Sequence, residues 1–431
     1  MSPKHVVFKK FSRDKSVSTE SLCYLHHLHT CSTGRFITVK HCMLVQVGVY
    51  MARRDFVDHC DFVDPVDGVV VIDHEQIKGK RVHIMLSCSF RYGRADLDLV
   101  GMPADSYRRD LFLCTRQVYP PLQDRERSVH TKMQEKLLNK LGNDAYPFFF
   151  EFPDNLPCSV DLKPGPKDVT NHCAVEFEVK AFCSEGQDEK ALKGSSVRLA
   201  IRKIQYAPEK KGPPPCGETT CEFAMSDKPL QVKVTLDKET YYHSEPINIS
   251  VDITNSTNKD VNEISVAVEQ ITNVVLYSND KYMKPVASEE AGDNVPAGTS
   301  FKKVYTLLPL LSNNREKRGI ALDGKLKHED TNLASTTIIK DEVLKEVLGM
   351  LVSYRVAVRL MVGGEVAVEV PFRLMHPKPD PGKLRNSESP HVNLFSINST
   401  SLCRYSRVFR PSQPRERWVE SFHVTQWHLT A

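Results

Sequence analysis

The chain has 431 residues, 40% hydrophobic and 26% charged, enough apolar material to bury one large core or two ordinary ones, and two domains are expected. No stretch approaches the ~18 uninterrupted apolar residues of a membrane span, and Met1 to Lys10 is too densely charged for a secretory signal. The net charge is +4, and residues 377–431 carry eight Lys or Arg against four Asp or Glu, a difference of +4 that leaves the rest formally neutral, so bulk basicity gives no argument for nucleic acid binding.

In chain order, Val6-Val7-Phe8 is a short apolar run ended by Lys9 and Lys10, a solvated strand end whose paired ammonium groups can also hold a multivalent phosphate. Cys23, His26, His27, His29 and Cys31 have metal-ligand chemistry, but their spacing fits no standard zinc finger, and no metal or cofactor is expected. The twelve cysteines are dispersed from Cys23 to Cys403, which suits free thiols in a reducing compartment, Cys216 and Cys221 included, here read as flanking a loop.

Val82, Ile84, Leu86, Cys88 and Phe90 share one parity and read as a half-buried antiparallel strand. Met133, Leu137 and Leu141 recur at four-residue spacing, which predicts a helix lying on a sheet with Lys132, Lys136 and Lys140 wet and Gly142 stopping it. Arg198 stands between Val197 and Leu199, so on a strand its side chain leaves the apolar face toward solvent or another domain. The Pro- and Lys-rich stretch from Tyr206 to Pro215 cannot continue a sheet and predicts a linker over 206–218.

Alternation resumes at Leu230 to Leu236 and Ile247 to Ile253. Val352 to Val362 leads through Gly363-Gly364 into Val366 to Leu374, a hairpin with an apolar face on each arm. The polar stretch after His376 has no regular pattern and is expected to be disordered. The pattern predicts an all-β chain of two antiparallel β-sandwiches with one short amphipathic helix: a first domain at 1–205 carrying an insert near 18–48, a second at 219–376 and a tail at 377–431. The sequence lacks a phosphate-binding Gly-rich loop with Lys-Ser or Lys-Thr, a Gly-x-Ser-x-Gly elbow and a His-Glu-x-x-His helix, so no enzyme is expected.

Asp55-Phe-Val-Asp-His59, Pro65-Val-Asp-Gly-Val69, Phe90-Arg-Tyr-Gly93, Tyr146-Pro-Phe148, Leu156-Pro-Cys-Ser-Val160, Ser195-Ser-Val-Arg-Leu199, Met225-Ser-Asp-Lys-Pro-Leu230, Gly319-Ile-Ala-Leu-Asp-Gly324, His328-Glu-Asp-Thr-Asn-Leu-Ala334 and Arg373-Leu-Met-His-Pro377 together resemble the arrestin family, its visual branch more than the broadly expressed members. The resemblance implies two cupped β-sandwiches joined by a hinge, and a cytoplasmic protein of photoreceptor segments that is recruited to disc membranes in light. It would bind an activated, phosphorylated opsin and block G-protein coupling, with peripheral membrane contact only while receptor-bound and possible self-association. It further implies a polar core of Asp55, Arg198, Asp323 and Asp330 with Arg198 as phosphate sensor, phosphate guidance by Lys9 and Lys10, and a receptor-contacting finger loop containing Tyr92, Gly93, Arg94, Asp96, Asp98, Val100 and Gly101.

Three features depart from that pattern. Ser18 to Gly48 is inserted before Val49-Tyr-Met-Ala-Arg-Arg-Asp55, and the loop at Val362-Gly-Gly-Glu365 is short for an edge that touches membrane. The basic tail lacks the family's acidic segment and its core-completing arginine, which predicts a weakened resting state. A trafficking adaptor for other phosphorylated receptors and a poorly functional splice product are the alternative readings.

Overall fold

The computed structural model describes residues 47–378 apart from 76, 78, 92–107, 122–129, 154, 164–172, 186–195, 224–225, 227, 276–278, 327–330 and 341–346, together with three strands before residue 47. Lys9, Lys10, Asp330, the finger-loop residues and the tail beyond 378 therefore lie outside the described residues.

The first half builds two facing sheets. One runs, in spatial order, Leu25–His26, Phe36–His41, Val47–Met51, Val66–Ile72 and Ala145–Phe150. The expected insert thus supplies a strand: Phe36–His41 lies antiparallel to Val47–Met51, with Thr38 opposite Met51 and His41 opposite Gly48. Gly48, placed at the end of the insert from sequence, is inside the Val47–Met51 strand.

The facing sheet runs Ala321–Asp323, Val160–Leu162, Cys173–Glu185, Val197–Gln205 and Asp55–Asp58, with Lys80–Arg91 and Arg108–Tyr119 paired onto its flank. Val82, Ile84, Leu86, Cys88 and Phe90 are all fully buried, as their parity predicts. The opposite face of that strand is not wet, however, because His83, Ser87 and Ser89 are buried too. His83 manages this by hydrogen-bonding Gln117 Oε1 through Nε2 at 2.8 Å, and burial pushes its imidazole pKa down to about 3.

The one α-helix among the described residues, Lys132–Leu141, covers the predicted apolar spacing and stops at Gly142. Thr131 accepts the Gln134 N–H while the Gln134 side chain accepts from Thr131 N, a reciprocal cap that satisfies two otherwise orphaned donors. Gly142 ends the helix at φ 77°, a conformation that favours glycine. The lysines are exposed and Leu137 is buried against Val69 and Ala145, with Met133, Leu138 and Leu141 beside them. Gln134 is buried as well, donating to Phe148 O at 2.8 Å.

Gly68 belongs to the same patch: a Cβ there would come within 2.6 Å of Tyr50 O and 2.5 Å of the Phe148 ring. This close approach gives the Pro65-Val-Asp-Gly-Val69 stretch a steric reason for its glycine.

The second half is a four-stranded sheet, Cys216–Cys221, Leu230–Leu236, Ile247–Asn255 and Ser300–Leu307, against a five-stranded sheet, Thr240–Tyr242, Glu365–Met375, Gly349–Met361, Ile264–Val275 and Asn279–Ala291. The predicted hairpin is present, with Tyr354 opposite Phe372 and Leu360 opposite Val366, and Gly363 adopting φ 68°. Cys216–Cys221 is an edge strand rather than a loop, and it takes up the last residues of the stretch expected as linker. Both cysteines are free thiols. Among the described residues no helix is long and apolar enough to cross a membrane.

A strand pairing joins the halves. Ala321–Asp323 leaves the second half of the chain and extends the first domain's sheet, with Asp323 opposite Val160 and Ala321 opposite Leu162.

Candidate functional site

Charged side chains collect along the line where Ala321–Asp323 meets the first domain. Asp55 opens its strand directly alongside Arg202, because Asp55–Asp58 pairs parallel to Val197–Gln205 in the register Arg202 to Asp55. The guanidinium and carboxylate meet as a two-pronged pair, Nε to Oδ1 at 2.7 Å and Nη2 to Oδ2 at 2.9 Å. Arg202 Nη1 also donates to Gly324 O at 3.1 Å, reaching across the join into the second half of the chain. Gly324 has to be small: a Cβ would sit 2.6 Å from Ser159 Cβ.

Arg198 is not at this junction. Its side chain is 57% exposed and its ion-pair partner is Glu178, at 3.9 Å. Arg198 and Arg202 point to the same face of one strand, but four residues separate them by about 13 Å, and only the later one is in register with Asp55. Arg202, and not the expected Arg198, is therefore the arginine that meets Asp55. No periodicity distinguishes the two arginines; the parallel pairing of two segments far apart in sequence does.

Asp323 has different partners from those expected. His376 Nε2 lies 2.7 Å from its Oδ2, Ser335 N donates to Oδ1 at 2.9 Å, and Ser335 Oγ lies 3.3 Å from Oδ2. His243 Nε2 stands 3.9 Å from Oδ2 and 3.1 Å from Ser335 Oγ. Burial lowers the His243 pKa to about 4, so its imidazole is neutral at neutral pH. Sequence reasoning passed over both histidines, which carry no spacing signal across so long an interval.

On the inward face of Val197–Gln205, Lys203 is 1% exposed and bridges Asp58 and Leu156 O. Burial pulls its ammonium pKa down, but the charge of Asp58 and its hydrogen bond raise it, and the net direction is up. Burial pushes the neighbouring Cys158 thiol up to about 12, so it stays protonated. Gln205 then closes the row, pairing its side-chain amide with both Ile338 N and Ile338 O.

A cavity of about 310 Å³ opens beside Arg202, on the other face of the strand. Arg91, Arg108, Arg202 and Lys325 bring positive charge to its wall, facing Asp161, Glu176 and Glu178. The wall thus carries four basic side chains against three acidic ones.

Two family models match the chain: the arrestin (or S-antigen) N-terminal domain over residues 47–207 and the arrestin (or S-antigen) C-terminal domain over residues 226–379. The chain belongs to the arrestin family. Its relatives include human S-arrestin, 51% identical over 88% of each chain, and human Beta-arrestin-2, 56% identical over 77% of this chain and 80% of the relative. Arrestin red cell isoform 1 of Oncorhynchus mykiss is 55% identical over 78% of this chain and 82% of the relative. Arrestins are receptor-binding regulators of activated, phosphorylated G-protein-coupled receptors, not enzymes, and this arrestin is assigned that class. The matched N-terminal region starts at residue 47, where the strand leading to Asp55 begins and the inserted segment ends. The side chains of Cys23, His26, His27, His29 and Cys31 lie outside the described residues.

Proposed function

We propose that this arrestin terminates signalling by a light-activated, phosphorylated opsin, and that Arg202 is its phosphate sensor. The Asp55–Arg202–Gly324 bridge carries the reading, because it ties an arginine of the first domain to segments from both halves of the chain. A receptor phosphate enters the cavity walled by Arg91, Arg108 and Lys325, and as a dianion it outcompetes Asp55 for the guanidinium. Asp55 is then left without its counter-charge at the join between the halves, and relief of that stranded charge favours a new orientation of the two sandwiches.

Lys9 and Lys10 guide phosphates toward Arg202, and the loop containing Tyr92, Gly93, Arg94, Asp96, Asp98, Val100 and Gly101 enters the cavity of the active receptor. Requiring both contacts makes binding selective through linkage of two weak recognitions. Without the tail arginine, the resting state is less firmly held, and active receptor lacking phosphate is bound to some extent.

The test is a pull-down on opsin in four states, dark or lit, each with and without phosphate. Wild type should favour lit, phosphorylated opsin, and Arg202→Glu should bind lit opsin nearly independently of phosphate. Retained phosphate dependence in Arg202→Glu, with loss of it in Arg198→Glu, returns the sensor to Arg198 and defeats the assignment. The 56% identity to Beta-arrestin-2 supports a second reading, in which the partner is a phosphorylated non-visual receptor. A parallel pull-down on such a receptor separates the two.

A further inference from the structure

Three residues far apart in sequence converge on one oxygen. His376 Nε2 and His243 Nε2 approach Asp323 Oδ2 at 2.7 Å and 3.9 Å, and the three donor atoms all lie within 4.8 Å of one another. The imidazole rings are 4.4 Å apart, centroid to centroid. Each ligand is held from behind by backbone: Asp323 through Ser335 N, His243 through its own N–H to Met375 O at 3.2 Å, and His376 through its carbonyl, which accepts from Ala207 N at 2.9 Å. The ion pairs of Asp323 are with these two histidines; Arg202 is turned to Asp55 and Lys203 to Asp58.

We propose that His243, Asp323 and His376 form a binding site for a divalent transition-metal ion of the zinc class, with Ser335 Oγ or water as the fourth ligand. Two imidazole nitrogens and one carboxylate oxygen are a donor set that zinc takes with an open fourth position. Bonds of about 2.0–2.1 Å in a tetrahedron set ligand atoms about 3.4 Å apart, a value that the 2.7 Å and 3.9 Å separations straddle. All three atoms lie within 4.8 Å of one another, so capture of an ion shortens no separation among them by more than about 1.4 Å. The His376 side chain is 29% exposed and gives the ion a way in, while His243 at 9% and Asp323 at 15% form the floor.

The consequence is mechanical. Asp323 belongs to the strand that extends the first domain's sheet, whereas His376 follows the last strand of the second domain and bridges to Tyr206 at the linker. An ion shared among them clamps the join between the two halves and stabilises the resting arrangement. The proposal stands on donor geometry and does not require the opsin reading.

The experiment uses the full chain, stripped with chelator and titrated with Co²⁺, whose d–d absorption reports tetrahedral coordination, followed by displacement with Zn²⁺. One equivalent should bind, and His243→Gln and His376→Gln should each weaken binding by about a hundredfold. His376→Cys should keep the ion and add a thiolate-to-cobalt charge-transfer band, a signature that loss of packing cannot imitate. A double variant, Cys23→Ser with Cys31→Ser, should titrate like wild type. No d–d band at one equivalent overturns the proposal. So does unchanged binding in both glutamine variants, and so does the absence of the charge-transfer band in a folded His376→Cys chain.

Discussion

Lys203 shows how much a single side chain can carry. A buried ammonium is tolerated here only because Asp58 and Leu156 O satisfy it, so removing one partner strands a charge away from water. Lys203→Met with Asp58 intact should cost about 3–5 kcal/mol, read as a lower urea midpoint at unchanged slope. Replacing Asp58 by Leu in the same chain should recover part of that loss. His83 makes a separate prediction with a definite sign. Its folded pKa is about 3, below the ~6.5 of an unfolded histidine, so between these values the unfolded chain takes up a proton that the folded one refuses. The stability this contributes is fully present above pH ~6.5, shrinks as pH falls and stops shrinking below pH ~3. From pH 7 to pH 5 it amounts to about 2 kcal/mol, and His83→Leu should lose that part of the pH slope in parallel denaturation series.

At the scale of an element, the helix shows which signals local sequence holds. Its apolar spacing, its lysine row and its terminal glycine were all readable, because each is a property of a few neighbouring residues. The burial of Gln134 was not, since it depends on carbonyls of strands on which the helix lies. Thr131→Ala should cost about 1 kcal/mol, the usual worth of an N-cap. Gln134→Leu should cost more, because it also abandons Phe148 O in the interior. Thermal melts of the two variants rank them, and equal losses would mean that the cap alone matters. The inserted segment is instructive in the opposite direction. From sequence it is only an insertion with no place in the family pattern, yet Phe36–His41 pairs with Val47–Met51, which offers it an edge.

For the whole molecule, the join between the halves is the feature on which the proposed switch turns. A two-pronged Arg202–Asp55 pair, the Asp323 cluster and the Gln205–Ile338 contact line it in sequence along one sheet. Gly324 lets the crossing strand approach Ser159, so Gly324→Ala should force the strand outward and cost about 1–3 kcal/mol. Because Arg202 donates to the Gly324 carbonyl, the same variant should also relax phosphate dependence in the opsin pull-down. Loss of stability with phosphate dependence intact would separate packing from switching.

The order of residues by itself determined the all-β class, the hairpin through Gly363-Gly364, the helix with its terminal glycine and the membership of a family whose motifs run through both domains. These are local or pattern properties, set by side-chain alternation and by runs of residues short enough to be read directly. Which arginine meets Asp55 was decided only in three dimensions. Arg198 and Arg202 are alike in chemistry, parity and neighbourhood, and the choice between them is made by the parallel register of a strand that lies far upstream. The same holds for His243 and His376, which acquire a shared carboxylate only because a strand from the second half of the chain is built into the sheet of the first.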